Sequence, residues 1–186
     1  MRDEWLGFVV VSGPPASGKT TLAGELAGAL RLPLLSKDTI KHGLMTVLPV
    51  PDVAASRIVG RAAVAALLAV AKDVGYGLLE APWHRSHAIA SLRDLQAPLV
   101  EVFCRCDRAT STRRFRERAN PPRLGHFDDE RTEDELWNDE VSEPIAGGWP
   151  VIEVDTNGTV EVGDLIADIR RAQYLTDRAA DRGEMR

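Results

Sequence analysis

Cysteine is scarce in this chain. Cys104 and Cys106 are the only two among 186 residues, and one residue separates them. Neighbours that close rarely reach disulfide geometry. No second pair exists to complete a zinc site, so both are expected as reduced thiols at the end of a strand. Long apolar runs are missing as well. Aliphatic stretches such as Ala62–Ala71 are broken by charge well short of the ~20 residues that a bilayer span needs. The start, Met1-Arg2-Asp3-Glu4-Trp5, mixes charges and has no signal-peptide layout. These absences lead us to expect a cytoplasmic protein with no membrane partner. Excess positive charge is also lacking: 23 Lys and Arg stand against 28 Asp and Glu, a net charge of −5. A protein that neutralises many phosphates of a polynucleotide usually shows a basic face, so this balance argues against long nucleic acid as a partner. No internal repeat is visible.

The residues that are present fit one globular domain, read as 1–176, followed by a charged and flexible tail at 177–186. Phe8-Val9-Val10-Val11 reads as a buried strand that runs into Ser12-Gly13. Leu22, Leu26, Ala29 and Leu30 recur at helical spacing over 19–30, and Pro33 stops that helix. Further strands are expected at 32–35, 76–81, 99–104 and 149–154. Helices are expected after Asp38, over 52–72, 86–95, 107–118 and 160–172. Strands alternating with helices predict an α/β fold with a parallel sheet covered on both faces. The polar stretch 119–148 has no strand of its own and reads as a mobile loop or short helical lid.

One motif carries most of the chemistry. Gly13-Pro14-Pro15-Ala16-Ser17-Gly18-Lys19-Thr20 matches G-x-x-x-x-G-K-[ST] in full, with a strand before it and a helix directly after. Glycines at both ends let backbone N–H groups turn inward, and the following helix aims its positive end at the same point. Lys19 adds a mobile cation for the β- and γ-phosphates of ATP, and Thr20 a hydroxyl for Mg²⁺. Thr21 opens the helix beside them. The motif makes 13–21 the candidate nucleotide site.

Later residues bear on the reaction. Asp38, in Ser36-Lys37-Asp38, stands at the C-terminal edge of the second expected strand, where open α/β sheets bind ligands. It can take a proton from an acceptor hydroxyl, or it can cap the helix that follows. Glu80 ends the third strand, where it can order a metal-bound water, touch the acceptor, or stand as a plain strand-end carboxylate. Trp83 offers a flat wall for an acceptor ring, or belongs to the core. Arg114 and Arg118 share one helix face at spacing four, where an anion would relieve their repulsion. The other reading is a solvated basic helix paired with Asp128-Asp129-Glu130.

The loop, the Ser36-Lys37-Asp38 segment and the arginine-rich helix with its lid resemble a group of P-loop kinases. These are related to chloramphenicol phosphotransferase, zeta toxins, gluconate kinase and the 5′-kinase domain of polynucleotide kinase. The resemblance spans roughly 8–155. It implies a five-stranded sheet of order 2-3-1-4-5 and Asp38 as general base. It also implies nucleotide-contacting arginines in the lid, here Arg114, Arg118 and Arg123, with Arg118 acting on the transferred group. Polynucleotide kinases often place an arginine three residues after the aspartate to hold a substrate phosphate. Lys41 stands there, so the resemblance implies substrate contact by Lys41. Arg123-Leu124-Gly125-His126-Phe127 is similar to the lid element of gluconate kinase. The function implied is transfer of the γ-phosphoryl group of ATP to a small-molecule hydroxyl. A polynucleotide or RNA 5′-hydroxyl kinase, a toxin-type kinase acting on a sugar nucleotide, and a nucleotide-binding regulatory ATPase are the alternatives.

Overall fold

Valines 9 to 11 set the centre of the molecule. In the computed structural model, which describes residues 7–119, 127 and 132–181, they lie in β1 (Gly7–Ser12), whose residues are all buried. A strand buried on both faces needs parallel neighbours and helices above and below. β1 has them. It pairs in parallel with β3 (Tyr76–Glu80) on one side and β4 (Leu99–Arg105) on the other. β2 (Leu34–Ser36) adds to β3, and β5 (Val151–Asp155) adds to β4. The order β2-β3-β1-β4-β5 is the one the resemblance implied.

Successive strand residues point to opposite faces, so β1 feeds two cores. Val9 and Val11 pack with Leu22 and Leu26 of α1 (Lys19–Leu30) and with Leu165 and Ile169 of α8 (Val162–Asp181). Phe8 and Val10 pack with Leu67 of α3 (Val53–Val74) and Leu92 of α4 (Arg85–Arg93).

Several expected boundaries move by a few residues, three of them with a clear physical cause. α1 closes at Arg31, whose left-handed backbone (φ 56°) turns its own amide and that of Leu32 back onto the Ala27 and Gly28 carbonyls. Leu32 is thereby part of the helix cap, and β2 begins at Leu34. α2 (Lys37–Met45) has Ser36 at its N-cap, so Asp38 sits inside the first turn rather than capping it. α8 runs on to Asp181, into the stretch expected as a tail; Ala179 and Ala180 favour helix.

α3 also departs from expectation. By length and composition alone this helix is apolar enough to cross a membrane, because its many alanines raise hydropathy without adding bulk. Its buried residues Val59, Ala63, Leu67 and Ala71 recur every four positions, and the helix lies against α2 and the β2–β3 side of the sheet. Only 22% of its apolar stretch is buried, on the face that packs against the rest of the fold.

The described part of the expected lid follows α5 (Arg108–Ala119) and holds two short helices, α6 (Glu133–Leu136) and α7 (Asp139–Ser142). Arg123 and His126 lie outside the described residues. Leu136 and Trp137 pack on Phe115 of α5, with Ala16 of the glycine-rich loop against the same cluster. The Phe115 and Trp137 rings meet edge to face at 5.3 Å.

Candidate functional site

The turn after β1 is built by backbone geometry. Gly13 has φ 133°, and a Cβ there would stand 2.7 Å from the Cys104 carbonyl oxygen, so only glycine fits. Gly18, φ 91°, is the N-cap of α1, and Ala16 is also left-handed at φ 55°. The loop therefore curls over the N-terminus of α1, where free amides and the helix dipole favour an anion. Ser17 is fully buried, and its hydroxyl has no hydrogen-bond partner among the described residues. Lys19 is buried too, and its Nζ donates to the Pro14 carbonyl at 2.6 Å. Burial pushes the Lys19 ammonium below its ordinary pKa, against the opposing pull of Glu80, Cys104 and Asp38. Negative phosphate oxygens beside it would restore the charged form.

Two carboxylates complete this edge of the sheet. Glu80 is 2% exposed at the end of β3. It accepts from Ser36 Oγ at 2.7 Å and from Thr20 Oγ1 at 3.3 Å. Glu80 thus lies beside the Thr20 hydroxyl at the glycine-rich loop. These oxygens suit Mg²⁺, a hard cation that prefers hydroxyl, carboxylate and phosphate ligands. Among the described residues no group of three or more His, Cys, Asp or Glu side chains is placed to hold a metal, so a cation here would draw the rest of its shell from phosphate and water. Asp38 is more open, with a side chain 41% exposed, and accepts from Lys37 Nζ at 2.8 Å. Lys41 is buried and donates to Ser56 Oγ of α3 at 2.8 Å. Trp83 is 4% exposed. It packs in the Phe8 core and also lines the cleft.

One cleft of about 1310 Å³ joins these parts. Pro15, Ala16, Gly18, Lys19, Thr20 and Thr21 line one end. Asp38, Lys41, Glu80 and Trp83 also line the cleft, Glu80 against Thr20. Gly13 and Ser17 sit behind the loop surface.

The arginines of α5 divide. Arg118 lines the cleft, lies over the Phe115 ring at 5.8 Å, and is close enough to Lys19 to bear on its charge. Arg114 lines the cleft as well, but its guanidinium donates to the Thr156 and Asn157 carbonyls at 2.8 and 2.9 Å. It fastens the turn after β5, whose Gly158 and Thr159 border the nucleotide end. Arg108 and Arg116 face away and pair with Asp134 and Glu133 of α6.

Some residues escaped the sequence reading. Ser36 was quoted only as a neighbour of Asp38, yet it holds Glu80. Glu101 had no assigned role, yet it is fully buried on β4. It accepts from Ser12 Oγ (2.6 Å), Ile145 N (2.8 Å), Ala146 N (3.0 Å) and Trp149 Nε1 (3.1 Å). It thus ties the end of the lid region to the residue before Gly13. A lone carboxylate between Val100 and Val102 was the available signal.

Comparison with known proteins agrees with this geometry. A candidate kinase from Chloroflexus aurantiacus has a solved structure with TM-score 0.81 and 26% identity, over 90% of this chain and 98% of that one. The APS kinase of Mycobacterium tuberculosis, bound to AMPPNP and APS, shares the fold at TM-score 0.56 and 20% identity, over 90% and 96% of the two chains. Kti12 from Chaetomium thermophilum, bound to ADP-AlF3, shares it at TM-score 0.58 and 19% identity, over 89% and 98%. No curated protein matches. The profile of a family described as an AAA domain matches residues 8–139. With that match over most of its length and the glycine-rich loop, strand order and cleft in place, the chain belongs to this AAA-domain family (AAA_33), in its P-loop kinase-like group.

Proposed function

We propose that the protein is an ATP-dependent kinase that moves the γ-phosphoryl group onto a hydroxyl of a small acceptor. The observation that carries this reading is the single cleft in which the open carboxylate Asp38 faces the glycine-rich loop. A site built for nucleotide binding alone has no need of that carboxylate. The β- and γ-phosphates rest on the loop amides, with Lys19 as their cation and Arg118 over the transferred group. Asp38 orients the acceptor hydroxyl and takes its proton as the oxygen bonds to the γ-phosphorus. The bond to the bridging β-phosphate oxygen breaks, and ADP leaves with that electron pair. Thr20 and Glu80 are the residues that would hold Mg²⁺, which would supply neutralising charge to the phosphates. Trp83 walls the acceptor, Lys41 contacts it, and the α6 region keeps water out.

The test is ADP release across a panel of hydroxyl-bearing metabolites, with wild type, Lys19→Ala and Asp38→Asn. Lys19→Ala is expected to lose nucleotide binding and turnover together. Asp38→Asn is expected to keep nucleotide affinity while kcat falls roughly 10²-fold or more. Near-normal kcat in Asp38→Asn defeats the base assignment.

A further inference from the structure

The acceptor end of the cleft carries more positive charge than the transfer step uses. Arg57 and Arg61 stand one turn apart on α3, and both line the cleft. Like charges at that spacing repel. Glu135 of α6 relieves one of them, pairing with Arg57 at 2.9 Å. Arg61 makes no ion pair among the described residues. Gly60 lies between them, and a Cβ there would meet only Lys37 Cε, at 3.9 Å, so no bulk blocks the approach to the α3 wall. Val64, one turn further along the same face of α3, and Trp83 add apolar surface to the same cleft.

We infer that the acceptor is itself an anion: a hydroxyl compound bearing a carboxylate, sulfate or phosphate group, held by Arg61 with Arg57 beside it, its apolar part against Trp83 and Val64. The inference rests on the kinase reading above and adds the substrate class. A guanidinium is always charged and presents paired N–H donors that match two oxygens of such a group. Held there, the anion would set which hydroxyl reaches Asp38, and a neutral analogue would leave Arg61 without a partner.

The experiment uses the full chain loaded with AMPPNP, so that the glycine-rich loop is already filled and added anions report on the other end. Inorganic phosphate, sulfate and acetate are titrated separately by calorimetry, which tells a carboxylate preference from a phosphate or sulfate preference. Saturable binding of at least one is expected. Arg61→Gln should weaken it about tenfold, and Arg61→Lys, which keeps the charge but loses the paired donors, should weaken it by a smaller factor, with AMPPNP affinity unchanged in both. Loaded wild type that binds none of the three overturns the inference, as does Arg61→Gln that binds as well as wild type. Failure to bind AMPPNP overturns the kinase reading and this inference with it, so the two failures are told apart.

Discussion

Glu101 places a carboxyl group where no water reaches it. A buried carboxylate is tolerated only when donors replace its hydration, and four do so here. Replacing Glu101 by Ala orphans all of them, and the expected loss is about 3 kcal/mol of unfolding free energy, read by urea denaturation. A loss below about 1 kcal/mol would show that the donors find other partners. Cys104 makes a second test at this scale. Burial pushes its thiol up to about 12, so almost no thiolate exists near neutral pH, and the side chain is fully covered. Iodoacetamide at about pH 8 is expected to leave Cys104 unmodified in the native protein and to modify it in denaturant, as mass spectrometry would read. The two residues also mark what was legible. Lys19 and Thr20 were readable because the motif that places them is contiguous. Glu101 was not, because its partners lie 44 to 89 residues away.

Among the elements, α5 shows how tertiary structure sorts side chains that look alike in sequence. Its arginines form one basic run, yet Arg118 faces the cleft, Arg114 fastens a turn, and Arg108 and Arg116 hold α6. Spacing put Arg114 and Arg118 on one face, and both do line the cleft; it could not say that carbonyl oxygens of the next turn would claim Arg114. Asp107 caps this helix, accepting from Thr110 N at 2.7 Å and Thr110 Oγ1 at 3.0 Å. Those hydrogen bonds hold its carboxyl below the ordinary carboxylate range. Its contribution to stability is complete above the unfolded pKa and is lost as pH falls through the lower folded value. Asp107→Asn should therefore flatten the acid limb of the stability curve and leave its slope near neutral pH unchanged, as thermal melts against pH would show. The edge-to-face pair of Phe115 and Trp137 makes another probe. ATP analogue binding at Ala16 should alter tryptophan emission, and Trp137→Phe should remove most of that change.

For the whole molecule, the strand order was implied by resemblance rather than by any local pattern, because no residue announces which strand will lie beside it. The alternation of strands and helices was enough for the α/β class. Net charge bears on partners at this scale. At −5, the chain carries no overall excess of positive charge to draw a polyanion. A fluorescent 20-mer oligonucleotide is expected to show no saturable change in anisotropy at ~150 mM salt. Salt-sensitive binding there would favour the polynucleotide alternative.

The sheet order has a consequence for how the chain is made. The strand that carries the glycine-rich loop is made before the other four, yet it takes the middle place, between residues 76–80 and 99–105. Both flanking partners are distant, and such long-range closures come late and slowly. A nascent chain halted before β4 would expose a strand of bare valines and hold no nucleotide. Synthesis must run on past residue 105 before β1 has both of its neighbours.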